Sequence, residues 1–137
     1  GLPMAQRIPT TVSYEDWLAL DTDNELSEWN DGELIGFLPP KQIHQLVFLL
    51  LAQLMGQYAG RRGLGRVVPA PFEMRLERSA REPDLLYVAN NNLHRLSEER
   101  LMGPADLAVE IVSDDSTARD RVRKVAEYEA AGVREYW

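Results

Sequence analysis

The chain has 137 residues, about the length of one domain, with 45% hydrophobic residues, 27% charged residues and a formal net charge of −7. It contains no cysteine, which excludes disulfides, thiolate chemistry and cysteine-based zinc sites. The acidic charge has the wrong sign for binding nucleic acid by bulk electrostatics, but it counts less against an enzyme whose clustered acids hold a cation. The longest apolar run, Leu46 to Ala52, is too short to span a bilayer, and residues 1–10 lack the apolar region of a signal peptide, so we expect a soluble cytoplasmic protein.

The first predicted elements are a short helix and a β-hairpin. The stretch TVSYEDWLAL is typical of a helix with Ser13 as its N-cap. ELSEWNDGELIGFL predicts a hairpin with Asp31-Gly32 as its two-residue turn. Apolar residues then recur with helical spacing from Lys41 to about Ala59, which predicts a long helix with a wide buried stripe.

The second half of the chain predicts further strands and a last helix. GRVVPAPFEMRLE indicates one or two strands that are interrupted by prolines. PDLLYV indicates a further strand, and residues 97–102 indicate a short helix. The apolar run ADLAVEIVS is typical of a central strand. A helix capped by Asp115 or Ser116 follows and runs to about Ala131, where Gly132 ends it, and REYW begins another strand. This order predicts an α/β fold in which helices lie on the faces of a mixed sheet.

Two carboxylates stand in these apolar strands. Asp84 opens the strand PDLLYV, and Glu110 lies in the middle of ADLAVEIVS. Burial of an unpaired carboxylate costs several kcal/mol or forces it to take up a proton. Two carboxylates that converge from adjacent strands are the minimum oxygen-rich site for Mg²⁺ or Mn²⁺, and such an ion would offset the cost of burial.

Other polar residues extend this candidate site. Asp120, Lys124 and Tyr128 share one face of the last helix by their spacing, and Lys124 could stabilise charge that develops on a phosphate. Glu28 in the hairpin and His44 at the start of the long helix are further polar residues in mostly apolar surroundings.

Structural interpretations remain open for each of these residues. Glu110 could form a structural ion pair with Lys124 or with an arginine, although such a pair would itself be costly to bury. Asp84 could be an ordinary residue at a strand start, and His44 an ordinary residue at a helix start. Glu28 could lie at an exposed hairpin position, and Asp120 and Lys124 could form an exposed pair on the helix.

The ordered set of motifs resembles the Uma-two family of restriction-endonuclease-like proteins, within the PD-(D/E)XK nuclease superfamily. Each motif is weak alone, but the set spans residues 11–137 in the family's order. The motifs are Glu28 before NDGE, His44, Pro83-Asp84, Glu110 before Ser113, Asp120, Lys124, Tyr128, Gly132 and EYW. The resemblance implies a restriction-endonuclease-like α/β fold, with a mixed central sheet flanked by helices.

The resemblance also implies a Mg²⁺- or Mn²⁺-dependent endonuclease that hydrolyses DNA phosphodiester bonds. On that model the ion is held by Asp84 and Glu110, joined by Glu28 and the backbone carbonyl of Ile111, and it polarises the phosphate and activates a water. Lys124 orients that water or stabilises the charge of the transition state. The supporting residues are Glu28, His44, Asp120 and Tyr128.

Two departures from the family pattern affect this expectation. The superfamily lysine stands two residues after the second acid, where this chain has Val112, so the resemblance implies that Lys124 supplies the lysine from the next helix. The chain ends at Trp137, where such proteins continue with further strand material. We expect one domain over residues 11–137, which is either truncated or has a short last strand. Residues 1–10 are expected to be a disordered or tag-like N-terminus. A homodimer or a higher homo-oligomer is the expected assembly.

Two rival functions remain open from the sequence. The first is a catalytically inactive nuclease-like fold that acts as a binding or assembly module, which the acidic charge and Val112 favour. The second, weaker rival is a metal-dependent phosphoesterase for a small substrate. The presence of Asp84, Glu110 and Lys124 together favours the endonuclease, because a degenerate site is expected to lose one of them first.

Overall fold

The computed structural model describes residues 5–8, 11–20, 27–37, 39–113 and 118–137. The elements are β1 (Ala5–Ile8), α1 (Tyr14–Ala19), β2 (Ser27–Asn30), β3 (Glu33–Phe37), α2 (Gln42–Arg62), β4 (Gly65–Pro69), β5 (Glu73–Arg75), β6 (Ser79–Arg81), β7 (Leu85–Ala89), a 3-10 helix (Asn90–Arg95), β8 (Arg100–Met102), β9 (Leu107–Val109), α3 (Ala118–Ala131) and β10 (Glu135–Tyr136). The mixed α/β class predicted from the sequence is confirmed.

The strands form two sheets within the described residues. One has the order β1-β3-β2-β6-β5-β8 and the other the order β10-β9-β7-β4. The β5–β8 and β10–β9 pairs are parallel, and the other pairs are antiparallel. Residues 5–8 pair with β3, in a segment for which the sequence predicted a disordered or tag-like N-terminus. Residues 1–4 and 9–10 lie outside the described part of the chain.

The local signals at the start of the chain place α1 and the first hairpin as predicted. The Ser13 side chain accepts a hydrogen bond from the backbone N–H of Asp16 at 3.0 Å, which caps α1. Asp31 and Gly32 adopt φ values of 46° and 90°, the left-handed conformations that a two-residue hairpin turn requires. This hairpin carries Glu28 on β2, which is the direct neighbour of β6 in the six-stranded sheet.

The loop before β9 differs from the prediction. A 3-10 helix forms at Asn90–Arg95, and residues 100–102 are a strand, where the sequence predicted a short helix over residues 97–102. Residues 100–102 are a strand because they pair in parallel with β5. The buried Asp106 carboxylate stabilises the 3-10 helix by accepting hydrogen bonds from the Ala89 N–H and the Asn92 side chain at 2.7 and 3.0 Å. The predicted caps of α3, Asp115 and Ser116, lie outside the described residues.

The four-stranded sheet is packed on both faces. Alternate residues of β7 point to opposite sides, so Leu86 belongs to a core cluster with Tyr128 of α3, and Leu85 to a second cluster with Leu107 and Val109. Four residues of α2 pack against that second cluster: Phe48, Leu51, Ala52 and Met55. The ends of β7 and β9 therefore lie between α2 and α3, and both helices can deliver side chains there.

The prediction that α2 has a wide buried stripe is wrong, because most of the apolar residues assigned to that stripe are exposed. Besides the stripe that packs on the sheet, α2 has a second apolar face that no described residue covers. A helix that is apolar on most sides carries more apolar surface than one face of a sheet can bury. The exposed side chains, 37–66% accessible, are Ile43, Leu46, Val47, Leu49, Leu50, Leu54 and Tyr58.

Candidate active site

The two predicted acids lie opposite each other at the end of the four-stranded sheet. β7 and β9 are antiparallel with Leu85 opposite Val109, so the register continues with Asp84 opposite Glu110. Residues that lie directly opposite each other on antiparallel strands project from the same face. The Asp84 Oδ2 atom also accepts a hydrogen bond from the Ile111 N–H at 2.7 Å. This bond ties Asp84 to the segment that carries Glu110 and the Ile111 carbonyl.

His44 reaches Asp84 from the other side of the sheet. It lies in the first turn of α2, is 7% exposed, and its Nε2 atom is 3.3 Å from Asp84 Oδ1. Its Nδ1 atom lies 2.9 Å from the Gln45 Oε1 atom. The two oxygens of Asp84 are thus contacted by a side chain of α2 and by the backbone that follows β9, which fixes the orientation of this carboxylate.

Lys124 reaches Glu110 from α3. Its Nζ atom donates to both oxygens of Glu110, at 2.9 Å to Oε1 and 2.7 Å to Oε2. The hydroxyls of Tyr128 and Tyr136 donate to the same two oxygens at 3.2 and 3.4 Å, respectively. Tyr128 is one turn beyond Lys124 on the same helical face, as the spacing predicted. The third predicted member of that face, Asp120, has its side chain outside the described residues.

A second group of charges lies behind Lys124: Glu28 was predicted as a site residue from the sequence, whereas its partner Arg81 and the next carboxylate, Glu127, were not. Glu28 is 1% exposed, so an exposed hairpin position is excluded. Its Oε2 atom accepts a hydrogen bond from Arg81 Nη1 at 3.0 Å, and its Oε1 atom is 3.7 Å from Lys124 Nζ. Arg81 also donates to both oxygens of Glu127 on α3, at 2.9 and 2.5 Å. The one signal in the sequence was Arg81 itself, a charge at the end of the short strand SAR just ahead of PDLLYV.

The electrostatics of the site show an excess of negative charge. Burial raises the pKa of Glu110, and the negative charges of Glu28 and Asp84 raise it further, against the lowering effect of Lys124. Burial also raises the pKa of Glu82 to about 7, with added repulsion from Glu28 and Glu73. Burial would lower the pKa of Lys124, but Glu28 and Glu110 outweigh it and raise that pKa, so the ammonium stays charged.

The charge balance and the donor atoms fit a hard divalent cation. Two permanently cationic side chains, Arg81 and Lys124, pair with three carboxylates, namely Glu28, Glu110 and Glu127. The Asp84 carboxylate, which contacts His44 and the Ile111 N–H, is a fourth. In the described parts of the chain, no group of three or more histidine or acidic side chains is arranged to hold a metal ion. Mg²⁺ typically needs only one or two carboxylates, because water and substrate oxygens complete its octahedron.

This finding bears on the third predicted ligand, Glu28. Arg81 holds one oxygen of Glu28 and Lys124 lies beside the other, so Glu28 does not form a three-carboxylate group with Asp84 and Glu110. Val112, in the position of the superfamily lysine, is 58% exposed. The acids and the lysine therefore come together from three separate elements, with the lysine supplied by α3.

The chain thus has a mixed α/β fold with two acids and a lysine at one end of a sheet. The chain belongs to the Uma2 family, described as "Putative restriction endonuclease", whose model matches residues 12–137. The resemblance inferred from the sequence motifs is thereby confirmed, and family membership supports a nuclease-like function.

Comparison with solved structures supports the same fold. The crystal structure of a protein described as "a putative nuclease belonging to DUF820", from Anabaena variabilis ATCC 29413, superposes with a TM-score of 0.79 at 15% sequence identity. The match covers 92% of this chain and 72% of that chain. No curated protein matches the sequence. Among the described helices, none is long and apolar enough to cross a membrane.

Proposed function

We propose that the protein is an endonuclease that hydrolyses DNA phosphodiester bonds with Mg²⁺ or Mn²⁺. The observation that carries the proposal is the convergence of Asp84, Glu110 and Lys124 at one end of the four-stranded sheet. The negative excess at this point supports it further, because a bound cation would relieve the repulsion that raises the pKa of Glu110.

The ion would be held by Asp84, Glu110 and the backbone carbonyl of Ile111. When bound, it supplies a Lewis acid for the phosphate and lowers the pKa of a water molecule. His44 and the Ile111 N–H hold the Asp84 carboxylate in place, and the two tyrosine hydroxyls orient Glu110. These contacts come from α2, α3 and β10, so the ligand positions are set before an ion binds.

Lys124 acts as a fixed positive charge. Its pKa is raised by Glu28 and Glu110, and a protonated amine has no lone pair with which to accept a proton from water. Lys124 therefore does not act as a general base, which is compatible with both roles predicted for it, orientation of the water and stabilisation of the transition state. The ammonium instead donates hydrogen bonds, and it stabilises the negative charge that develops on the phosphate oxygens in the transition state.

The proposal is tested by nicking of supercoiled plasmid in the presence of Mg²⁺ or Mn²⁺. We expect cleavage by the wild-type protein that EDTA abolishes, and a loss of at least about 100-fold in Asp84→Asn, because the amide is a poorer ligand for a hard cation. The matched control is Asp16→Asn, which makes the same chemical change on the exposed surface of α1. Equal cleavage by wild type and Asp84→Asn would assign the activity to a contaminant or to another site.

The non-catalytic alternative is favoured by one observation. Both Glu110 oxygens are already bonded to Lys124 and to tyrosine hydroxyls, which is also how a structural ion pair would be satisfied. That alternative expects neither cleavage nor binding of Mn²⁺ by calorimetry in the wild-type protein. Cleavage of a small phosphodiester such as bis(p-nitrophenyl) phosphate without cleavage of DNA would instead point to a phosphoesterase. The cytoplasmic location and the homo-oligomeric state stay predictions.

A further inference from the structure

Arg81 is a buried guanidinium that joins the six-stranded sheet to α3. It is 4% exposed at the end of β6. Its Nε and Nη2 atoms donate to the two oxygens of Glu127 on α3, and its Nη1 atom donates to Glu28 on β2. The buried Ser79 hydroxyl donates to the same Glu127 carboxylate at 2.7 Å. Such a two-bond fork fixes both the distance and the orientation of the partner carboxylate.

Both partners of Arg81 act on Lys124. Glu127 is three residues after Lys124, nearly one turn along α3, so holding Glu127 against β6 fixes the height and the rotation of the helix at Lys124. Glu28 places its other oxygen 3.7 Å from the Lys124 ammonium. The Arg81 side chain thus fixes the position of the helix that carries Lys124, and it also fixes the Glu28 carboxylate that lies beside the Lys124 ammonium.

A lysine on a helix needs such an anchor more than a lysine on a strand does. The superfamily position, two residues after the second acid, would be fixed by the hydrogen-bond ladder of the sheet. α3 makes its backbone hydrogen bonds internally, so the position of Lys124 relative to the sheets depends on side-chain contacts. We propose that Arg81 is a positioning residue for Lys124, acting through Glu127 and Glu28, an inference that rests on the proposed function.

Glu28 has a second part in this arrangement. A cation held by Glu110 would compete with the Lys124 ammonium for the same oxygens. The Glu28 carboxylate, held in place by Arg81, remains as a counter-charge that keeps the ammonium in the site. On this inference Glu28 positions Lys124 and does not bind the ion.

The position of Lys124 can be measured without any activity. The chain has two lysines, Lys41 and Lys124, so NMR of protein labelled with ¹³C at the lysine ε-carbon gives two signals, with the exposed Lys41 as internal reference. We expect separate Hε resonances for Lys124 in the wild type, because an immobilised methylene has two inequivalent protons. In Arg81→Gln and Glu127→Gln they should merge towards the single averaged signal that lysine gives in the urea-unfolded protein. Unchanged Lys124 resonances in either folded variant would overturn the proposal.

Kinetics provide the second readout. We expect Arg81→Gln and Glu127→Gln to lower kcat by about 10- to 100-fold, with KM for DNA and the Kd for Mn²⁺ within about threefold of wild type. In a Lys124→Met background the same changes should have no further effect on kcat, because a positioning residue acts through the residue it positions. A further 10-fold loss in that background would show a general structural role and contradict the proposal.

The matched control is Arg100→Gln, which removes another arginine–glutamate pair of the same sheet, with Glu73 as the partner. It should leave both the Lys124 signals and kcat unchanged. Glu127 is only partly buried, so Glu127→Gln decides the question if Arg81→Gln does not fold. If the wild-type protein cleaves no DNA, the proposed function fails, and the NMR comparison still decides whether Arg81 positions Lys124.

Discussion

Replacement of Lys124 by methionine is expected to lower kcat for DNA cleavage by about 100- to 1,000-fold. Methionine keeps most of the length of the side chain and removes the charge that contacts both oxygens of Glu110. The loss should fall on kcat and not on KM, because the ammonium stabilises charge that develops only in the transition state. Single-turnover cleavage at saturating Mn²⁺ measures it.

Ion binding separates this role from that of a ligand. In Lys124→Met the cation no longer competes with an ammonium for Glu110, so calorimetry should show a Kd for Mn²⁺ equal to or lower than that of wild type. Lys41→Met is the matched control at the N-terminus of α2 and should behave like wild type. Loss of Mn²⁺ binding in Lys124→Met, or an unchanged kcat, would contradict the assigned role.

Replacement of Glu110 by glutamine is expected to abolish the stabilisation that the ion gives the folded protein. At an Mn²⁺ concentration 100 times its Kd, a protein that binds the ion only when folded gains about 2.7 kcal/mol in its free energy of unfolding. Glu110→Gln should lose this gain, together with its plasmid-nicking activity. Urea unfolding with and without Mn²⁺ measures the difference, and Glu135→Gln, an exposed glutamate on β10, is the control.

Without metal, Glu110→Gln should be at least as stable as wild type. The pKa of Glu110 is raised in the folded state, mainly by burial, so the folded state binds its proton more tightly than the unfolded state does. Wild-type stability therefore falls as the pH rises from the ordinary glutamate range through the raised pKa. The glutamine variant lacks this fall, so its advantage should grow over that window and then stay constant. A loss of about 3–5 kcal/mol would instead show a structural ion pair with Lys124.

Elements with strong local signals were predictable from the sequence. The cap at Ser13, the turn at Asp31-Gly32 and the helical spacing of α2 each depend on residues that are close in the chain. Asp84 and Glu110 were predictable as well, because a carboxylate in an apolar strand needs a partner whatever the fold. Their opposed register then follows from the antiparallel pairing of β7 with β9.

The parts that could not be predicted depend on contacts between distant residues. Arg81 meets Glu28 and Glu127 across 53 and 46 residues of chain, and no spacing rule links such positions. The division into two sheets likewise depends on which strands pair. For α2, the pattern of apolar residues predicts contact faces but not how many of them a single sheet can cover.

The exposed apolar face of α2 makes the heat-capacity change on unfolding smaller than it would be if α2 were fully buried. Seven large side chains of α2 are already 37–66% accessible to water in the folded chain, so unfolding exposes less of their surface than it would for a buried helix. Newly exposed apolar area is the main source of the positive heat-capacity change. The stability curve of this chain is therefore flatter with temperature than its 45% hydrophobic content alone would indicate.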